Sequence, residues 1–263
     1  MAKLHGLLNF TGKLDEISAY TRKDCEGIIL RMGWGPSKEE IKTKDNYVNT
    51  RRNNAEFGGR STTGKYIKQL LDPLKTVFDY NISPVLNGLL KPVQDEDRES
   101  PWGHRNVLIS RKPYLLEGLT LNRRNPLESV ISTPIKFEVD KEAGTALISV
   151  PELMPSVNFF PPENFSVCRI TALLGLMPDF YFAEPLYKPL QDVSQWLPVV
   201  ASTDWFVARN GCPASEISLS LTGTLPAEGY SLMLAVGVQV GRPSPGYVIP
   251  LKHNGCGKIA VVR

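Results

Sequence analysis

Apolar and polar positions alternate in short runs along much of this chain, most regularly in its second half. Ile135, Phe137 and Val139 alternate with Lys136, Glu138 and Asp140. A turn over Asp140-Lys141-Glu142-Ala143-Gly144 follows, and Ala146, Ile148 and Val150 resume the alternation. A period of two around a glycine-containing turn predicts a β-hairpin. Further strands are predicted over 166–174, 215–221, 230–240, 247–251 and 258–262, with prolines and glycines punctuating the intervals. Many short strands separated by such turns predict an antiparallel β-sandwich of Ig-like architecture.

The first hundred residues carry a different pattern. Phe10, Gly12 and Leu14, then Ile17, Ala19 and Tyr20, then Ile28, Ile29, Leu30 and Met32 read as short strands, with a turn at Asp24-Cys25-Glu26-Gly27. Trp34-Gly35-Pro36 closes that hairpin unit, because proline and glycine stop regular pairing. Ser37, followed by Glu39 and Glu40, has the form of a capped helix start. Residues 44–57 are polar with few apolar anchors, Gly58-Gly59 is expected to interrupt them, and the Gly59–Lys65 segment reads as a flexible joint between helices. Tyr66, Ile67, Leu70, Leu71, Leu74, Val77 and Phe78 then recur at helical spacing, with Pro73 opening a new turn. A second short helix is predicted over 85–90. Asp95-Glu96-Asp97-Arg98-Glu99-Ser100-Pro101 reads as a solvated connector. The expected organisation is α+β, mostly β, with a hairpin and helical region over 1–100 and a β-sandwich over 101–263.

Length and composition add bounds to this picture. A chain of 263 residues can bury roughly three-quarters of its unfolded surface, so disulfides are not needed to hold a core. Cys25, Cys168, Cys212 and Cys256 are widely spaced, with no C-x-x-C pair, and read as small core residues of a reducing compartment. The early apolar run stops at Leu8, too short for a signal-peptide core, and no apolar stretch reaches membrane-spanning length. The expectation is a chain that is cytoplasmic as synthesised, without membrane insertion. Delivery to a virion or an extracellular assembly without a Sec signal stays open. The net charge of +3 is uneven, since residues 1–71 hold 13 basic and 8 acidic groups. Arg51, Arg52, Arg60, Lys65 and Lys68 carry the excess. They follow no single helical spacing and are interleaved with acids, which argues against a nucleic-acid stripe.

No residue constellation carries recognisable catalytic chemistry. Gly59-Arg60-Ser61-Thr62-Thr63-Gly64-Lys65 fits the phosphate-loop spacing, but Tyr66 stands where a magnesium-binding Ser or Thr belongs, and no apolar strand precedes it. His5, His104 and His253 fall in no zinc-hydrolase spacing. His253 near Cys256 has no nucleophile signature around it. No cofactor or metal is expected.

Two stretches carry a resemblance. Gly6-Leu7-Leu8-Asn9-Phe10-Thr11-Gly12-Lys13-Leu14-Asp15-Glu16-Ile17-Ser18-Ala19-Tyr20 is the first. Thr50-Arg51-Arg52-Asn53-Asn54-Ala55-Glu56-Phe57-Gly58, followed later by Arg105-Asn106-Val107, is the second. Together they resemble an uncharacterised family of Bacteroidota proteins of about 200–260 residues, which open with a G-x-x-G-K β segment and end in a β-rich domain. The resemblance implies a Bacteroidota source and brings no catalytic residue with it.

The expected function is a non-enzymatic structural or assembly protein that self-associates. Its short N-terminal β segment could add a strand to a neighbour's open sheet edge, giving rings or filaments. Phe10, Leu14, Ile17, Tyr20, Ile28 and Leu30 would carry that contact. The alternative is a sandwich that binds a glycan or peptide through the aromatic stretch containing Phe159, Phe160, Phe180, Tyr181 and Tyr187.

Overall fold

The computed structural model describes residues 2–4, 10–22, 25–32, 35–162, 167–190, 192–193 and 196–263. Trp34, and Ser166 at the start of one predicted strand, lie outside the described residues. The chain forms two compact units, Met1–Arg51 and Arg52–Arg263.

In the first unit, strands β1 (Ala2–Leu4), β2 (Gly12–Leu14), β3 (Ile17–Arg22) and β4 (Cys25–Met32) form one antiparallel sheet in the order β1-β4-β3-β2. Helix α1 (Lys38–Thr43) follows. Ser37 accepts the N–H of Glu40 at 3.1 Å while the Glu40 carboxylate accepts the N–H of Ser37 at 2.8 Å. This capping box satisfies two of the four amides that a helix start leaves unpaired. Helix α2 (Val48–Leu70) begins here and continues into the second unit.

The second unit has three layers, and its central layer explains its longest apolar runs. Strands β7 (Val167–Pro178) and β13 (Tyr230–Ser244) pair antiparallel over twelve positions, from Tyr230↔Pro178 to Gly241↔Val167. The short strands β10 (Val199–Ser202) and β11 (Phe206–Val207) flank β7; β14 (Tyr247–Pro250) and β15 (Cys256–Val262) flank β13. One face of this sheet presents Ile170, Ala172, Leu174, Leu234, Val236 and Val238 to a second sheet of β5 (Lys136–Asp140), β6 (Thr145–Val150) and β12 (Ser215–Ser220), ordered β12-β6-β5. Ala146, Ile148, Val150, Ile217 and Leu219 meet it there. The other face presents Leu173, Met177, Met233, Ala235 and Ile259 to the helical layer. Ile67, Leu70 and Leu71, the 3-10 turn Asp72–Val77 and helix α3 (Ser83–Asp95) make up most of that layer. Because β7 and β13 are covered on both sides, their sequences are apolar at nearly every position rather than at every second one. Each fully buried leucine in these interfaces stabilises the fold by about 1.5–3 kcal/mol. A short helix α4 (Leu127–Val130) and a hairpin of β8 (Phe180–Ala183) with β9 (Leu186–Pro189) complete the unit.

The architecture is α+β and mostly β, as expected, and the predicted 135–150 hairpin is present as β5 and β6 in the register Asp140↔Thr145. The expected sandwich supplies two of the three layers, and the helices close the third. Three local expectations are corrected. Gly58-Gly59 does not break the chain, because α2 runs unbroken through both residues. The phosphate-loop-like segment is therefore helical, with its amides committed to the helix ladder instead of an anion cradle. The charged run after α3 is not a free linker either. Asp97 is only 3% exposed, and the expected boundary at 100/101 falls inside the second unit because the helices before it share a core with the sheet after it.

No disulfide joins the four cysteines. Cys168 and Cys256 lie in the core between the two sheets. Burial pushes the Cys168 thiol up to about 12 and drives the Cys256 thiol above its ordinary range, the reverse of what an activated nucleophile needs. The His253 ring meets the Phe78 carbonyl through Nδ1, which places the ring against the helical layer's backbone. Among the described residues no helix is long and apolar enough to cross a membrane, and no group of three or more potential ligands is placed to hold a metal ion.

Candidate functional site: an exposed sheet face and a buried polar clamp

The four-stranded sheet of the first unit has an unusual distribution of apolar surface. Residues directly opposite each other in an antiparallel pair share a face. Leu14↔Ile17 and Ile17↔Met32 therefore put Leu14, Ile17 and Met32 in one row. Ala19↔Leu30 forms the next row, and Ile28 lies on the same face two residues before Leu30. Leu14 is 64% exposed, Ile17 39% and Met32 58%. Ala19 and Ile29 are the buried residues among those described in this unit. A sheet with one apolar face and so few buried side chains needs a second layer to be stable.

Of the six residues predicted to carry an assembly contact, Leu14, Ile17, Ile28 and Leu30 thus share one face. Tyr20 does not, because it sits three positions from Ile17 and pairs with Ile29 on the opposite face. Phe10 precedes β2 and is exposed. Met32 joins the face although it is not among the six; the period-two step from Leu30 is the signal that identifies it.

The five aromatic residues predicted as a ligand surface are not brought together. Phe159 is buried between the sheets, with its ring 5.9 Å from Phe206. Phe180 is buried under the helices, with its ring 5.9 Å from Tyr66. Tyr187 is buried against Gly59 and the Phe182 ring, and burial pushes its hydroxyl up to about 12. Phe160 is exposed elsewhere, and Tyr181 lines a small cavity with Trp196 and Glu228. The period-two and sandwich logic accounts for this scatter: successive aromatics belong to different layers.

The second stretch singled out in the sequence folds into a polar clamp. Glu56 on α2 is 4% exposed at its side chain. Its carboxylate accepts a two-point bond from Arg105, Nε and Nη2 each at 2.7 Å, and the Gly103 N–H at 2.8 Å. Arg105 Nη1 donates to Asp95 at the end of α3 at 2.9 Å. The Arg105 carbonyl accepts from Gln94 Nε2 at 2.8 Å and from the Tyr187 hydroxyl at 3.0 Å. The next residue continues the network. Asn106 donates its N–H to Asp97 at 2.8 Å, and its side-chain oxygen accepts the Phe182 N–H at 2.9 Å. The His104 ring stacks on Phe182 with centroids 4.2 Å apart. Helices α2 and α3 and the 97–107 segment are thereby fixed to one another through charge-assisted bonds, bidentate at Arg105–Glu56, and the β8–β9 hairpin joins them through the neutral bonds of Tyr187 and Phe182.

Asp97 supplies a pH dependence. Burial raises its carboxyl, but the Asn106 amide, the Ser100 hydroxyl and the amides of Ser100 and Glu99 outweigh this and hold it below its ordinary value. A depressed folded-state value means that the stabilisation is fully present above the unfolded-state value and disappears as pH falls through the folded one. Asp97→Asn should cost about 1–3 kcal/mol near neutrality. Urea titrations carried down to pH 2 should show that gap closing below pH 4, and a gap constant with pH would refute the assignment.

The chain matches no protein-family model, no curated protein and no solved structure.

Proposed function

We propose that this protein is a structural or assembly component that self-associates through its N-terminal sheet. The exposed apolar row Leu14–Ile17–Met32 carries the reading. Burying such a row removes apolar surface from water at about 25 cal/mol per Å². A contiguous row of large apolar side chains this exposed is a usual mark of a protein contact. The buried clamp of the second unit supports an architectural role in the same sense: its charged groups are spent on joining elements of the protein to each other.

Light scattering across a wide concentration range tests this. The full chain should give a mass at least twice its own 29.2 kDa. Leu14→Glu combined with Met32→Lys places opposite charges two strands apart in the same row. The sheet tolerates such a pair, whereas a buried interface does not. The double variant should be monomeric with an unchanged circular dichroism spectrum. A wild-type monomer at every concentration would sink the proposal.

A further inference from the structure

We propose that the neighbour's receiving surface is the free edge of β12, and that β2 of a second copy adds to it as a new strand. This rests on the self-association reading above and names the other half of that contact. Among the described residues β12 pairs with β6 on one side only and ends its sheet. β10 likewise lies at an edge of the central sheet. Between the two edges runs an open groove of about 630 Å³, lined by Ala201, Asp204, Phe206, Cys212, Glu216 and Ile217 among others. A strand edge beside an open groove of mixed polar and apolar lining is a geometry that accepts an added strand: backbone bonds give affinity, and alternate side chains give specificity.

The occupant follows from complementarity. Along β12, Glu216 and Ser218 point outward and are exposed, while Ile217 and Leu219 point into the core. The groove's charged residues, Asp204 and Glu216, are both acidic. β2 is the terminal strand of its own sheet and reads Gly12-Lys13-Leu14, with Lys13 on one face and Leu14 on the other. Added to β12, it sets Lys13 on the acidic outer face beside Glu216 and Leu14 on the face of Ile217. The apolar row behind Leu14 then continues over the groove floor toward Ala201 and Phe206. Both strands keep their alternation, Lys13 is the residue set opposite Glu216, and the acidic pair Asp15-Glu16 lies past the strand in the turn to β3. The contact joins different surfaces of the two copies, so repetition yields a ring or an open filament.

A charge exchange in the full chain tests the pairing. Glu216→Lys should weaken association at least tenfold, and adding Lys13→Glu to the same chain should restore it, since steering and pairing charges act as couples. A photo-crosslinking residue in place of Ser218, in a mixture of isotopically light and heavy chains, should yield adducts to residues 10–14 of the other-mass chain. Adducts confined to one chain would overturn the second-copy assignment. Undiminished association of Glu216→Lys, with Leu14→Glu/Met32→Lys still monomeric, would overturn the β12 edge alone and leave the self-association reading standing. A wild-type chain that is monomeric throughout would overturn both.

Discussion

Replacing Arg105 by alanine should lower the free energy of unfolding by about 3–5 kcal/mol, the cost of leaving one member of a buried ion pair without its partner. Glu56 is the reason for so large a figure. With Arg105 gone, its carboxylate, 4% exposed, keeps the Gly103 N–H as its one hydrogen-bond donor among the described residues. Arg105→Lys should recover little, because a single ammonium cannot reproduce the two parallel bonds to Glu56 while also reaching Asp95. Replacing both partners by methionine should cost less than Arg105→Ala alone, since an uncharged pair of similar bulk avoids the stranded carboxylate. Lys75→Ala is the contrast: the Lys75–Asp72 pair is exposed on both sides, and exposed pairs contribute about 0–1 kcal/mol. Urea denaturation of the four variants measures all of these. A loss under 1 kcal/mol for Arg105→Ala would mean that the clamp does not hold the helices in place.

The clamp also shows which parts of this fold were legible in sequence. Strands with one solvated face could be read directly: the alternation over 135–150 and 215–220 sets both the strands and their inward residues. The exposed apolar face of the N-terminal sheet is partly legible for the same reason, and Tyr20 falls off it by a parity of one. Helix α2 was not legible as one element. Its buried positions, Glu56, Gly59, Thr63, Gly64, Ile67 and Leu70, keep helical spacing, but the first four are not hydrophobic. Glu56 is buried because Arg105 neutralises it, and Thr63 because its hydroxyl bonds back to the Gly59 carbonyl at 3.0 Å. Gly59 makes room for Tyr187, and Gly64 is buried against α3 near Leu86 and Leu90. A search for apolar periodicity finds no stripe there, because the stripe is made of charge pairing and missing side chains. Strands β10 and β11 escaped for a simpler reason: at four and two residues they are too short to display a period. Their partner β7 holds them in place.

The two adjacent glycines of α2 should respond to alanine with opposite signs. Glycine in a helix interior costs about 1 kcal/mol relative to alanine, so both substitutions would stabilise an isolated helix. At Gly58 the added methyl meets nothing within 4 Å, and the protein should gain close to that full amount. At Gly59 the same methyl would stand 2.7 Å from two carbons of the Tyr187 ring. The ring is not a flexible end that can swing aside. It is held by the bond from its hydroxyl to the Arg105 carbonyl and by its edge contact with Phe182, 5.3 Å between centroids. Moving it costs about 1–3 kcal/mol of overpacking and about 1 kcal/mol for the lost hydrogen bond. These exceed the propensity gain, so Gly59→Ala should destabilise by roughly 1–3 kcal/mol. The double substitution Gly59→Ala with Tyr187→Leu removes the obstruction, and it should recover part of the loss even though each change alone is harmful. Thermal and urea melts of the three single variants and this pair suffice. Equal stabilisation by Gly58→Ala and Gly59→Ala would mean that α2 does not lie against Tyr187. Opposite signs would identify the glycine pair as one residue of slack and one of fit, on a helix whose inner face is set by what docks against it.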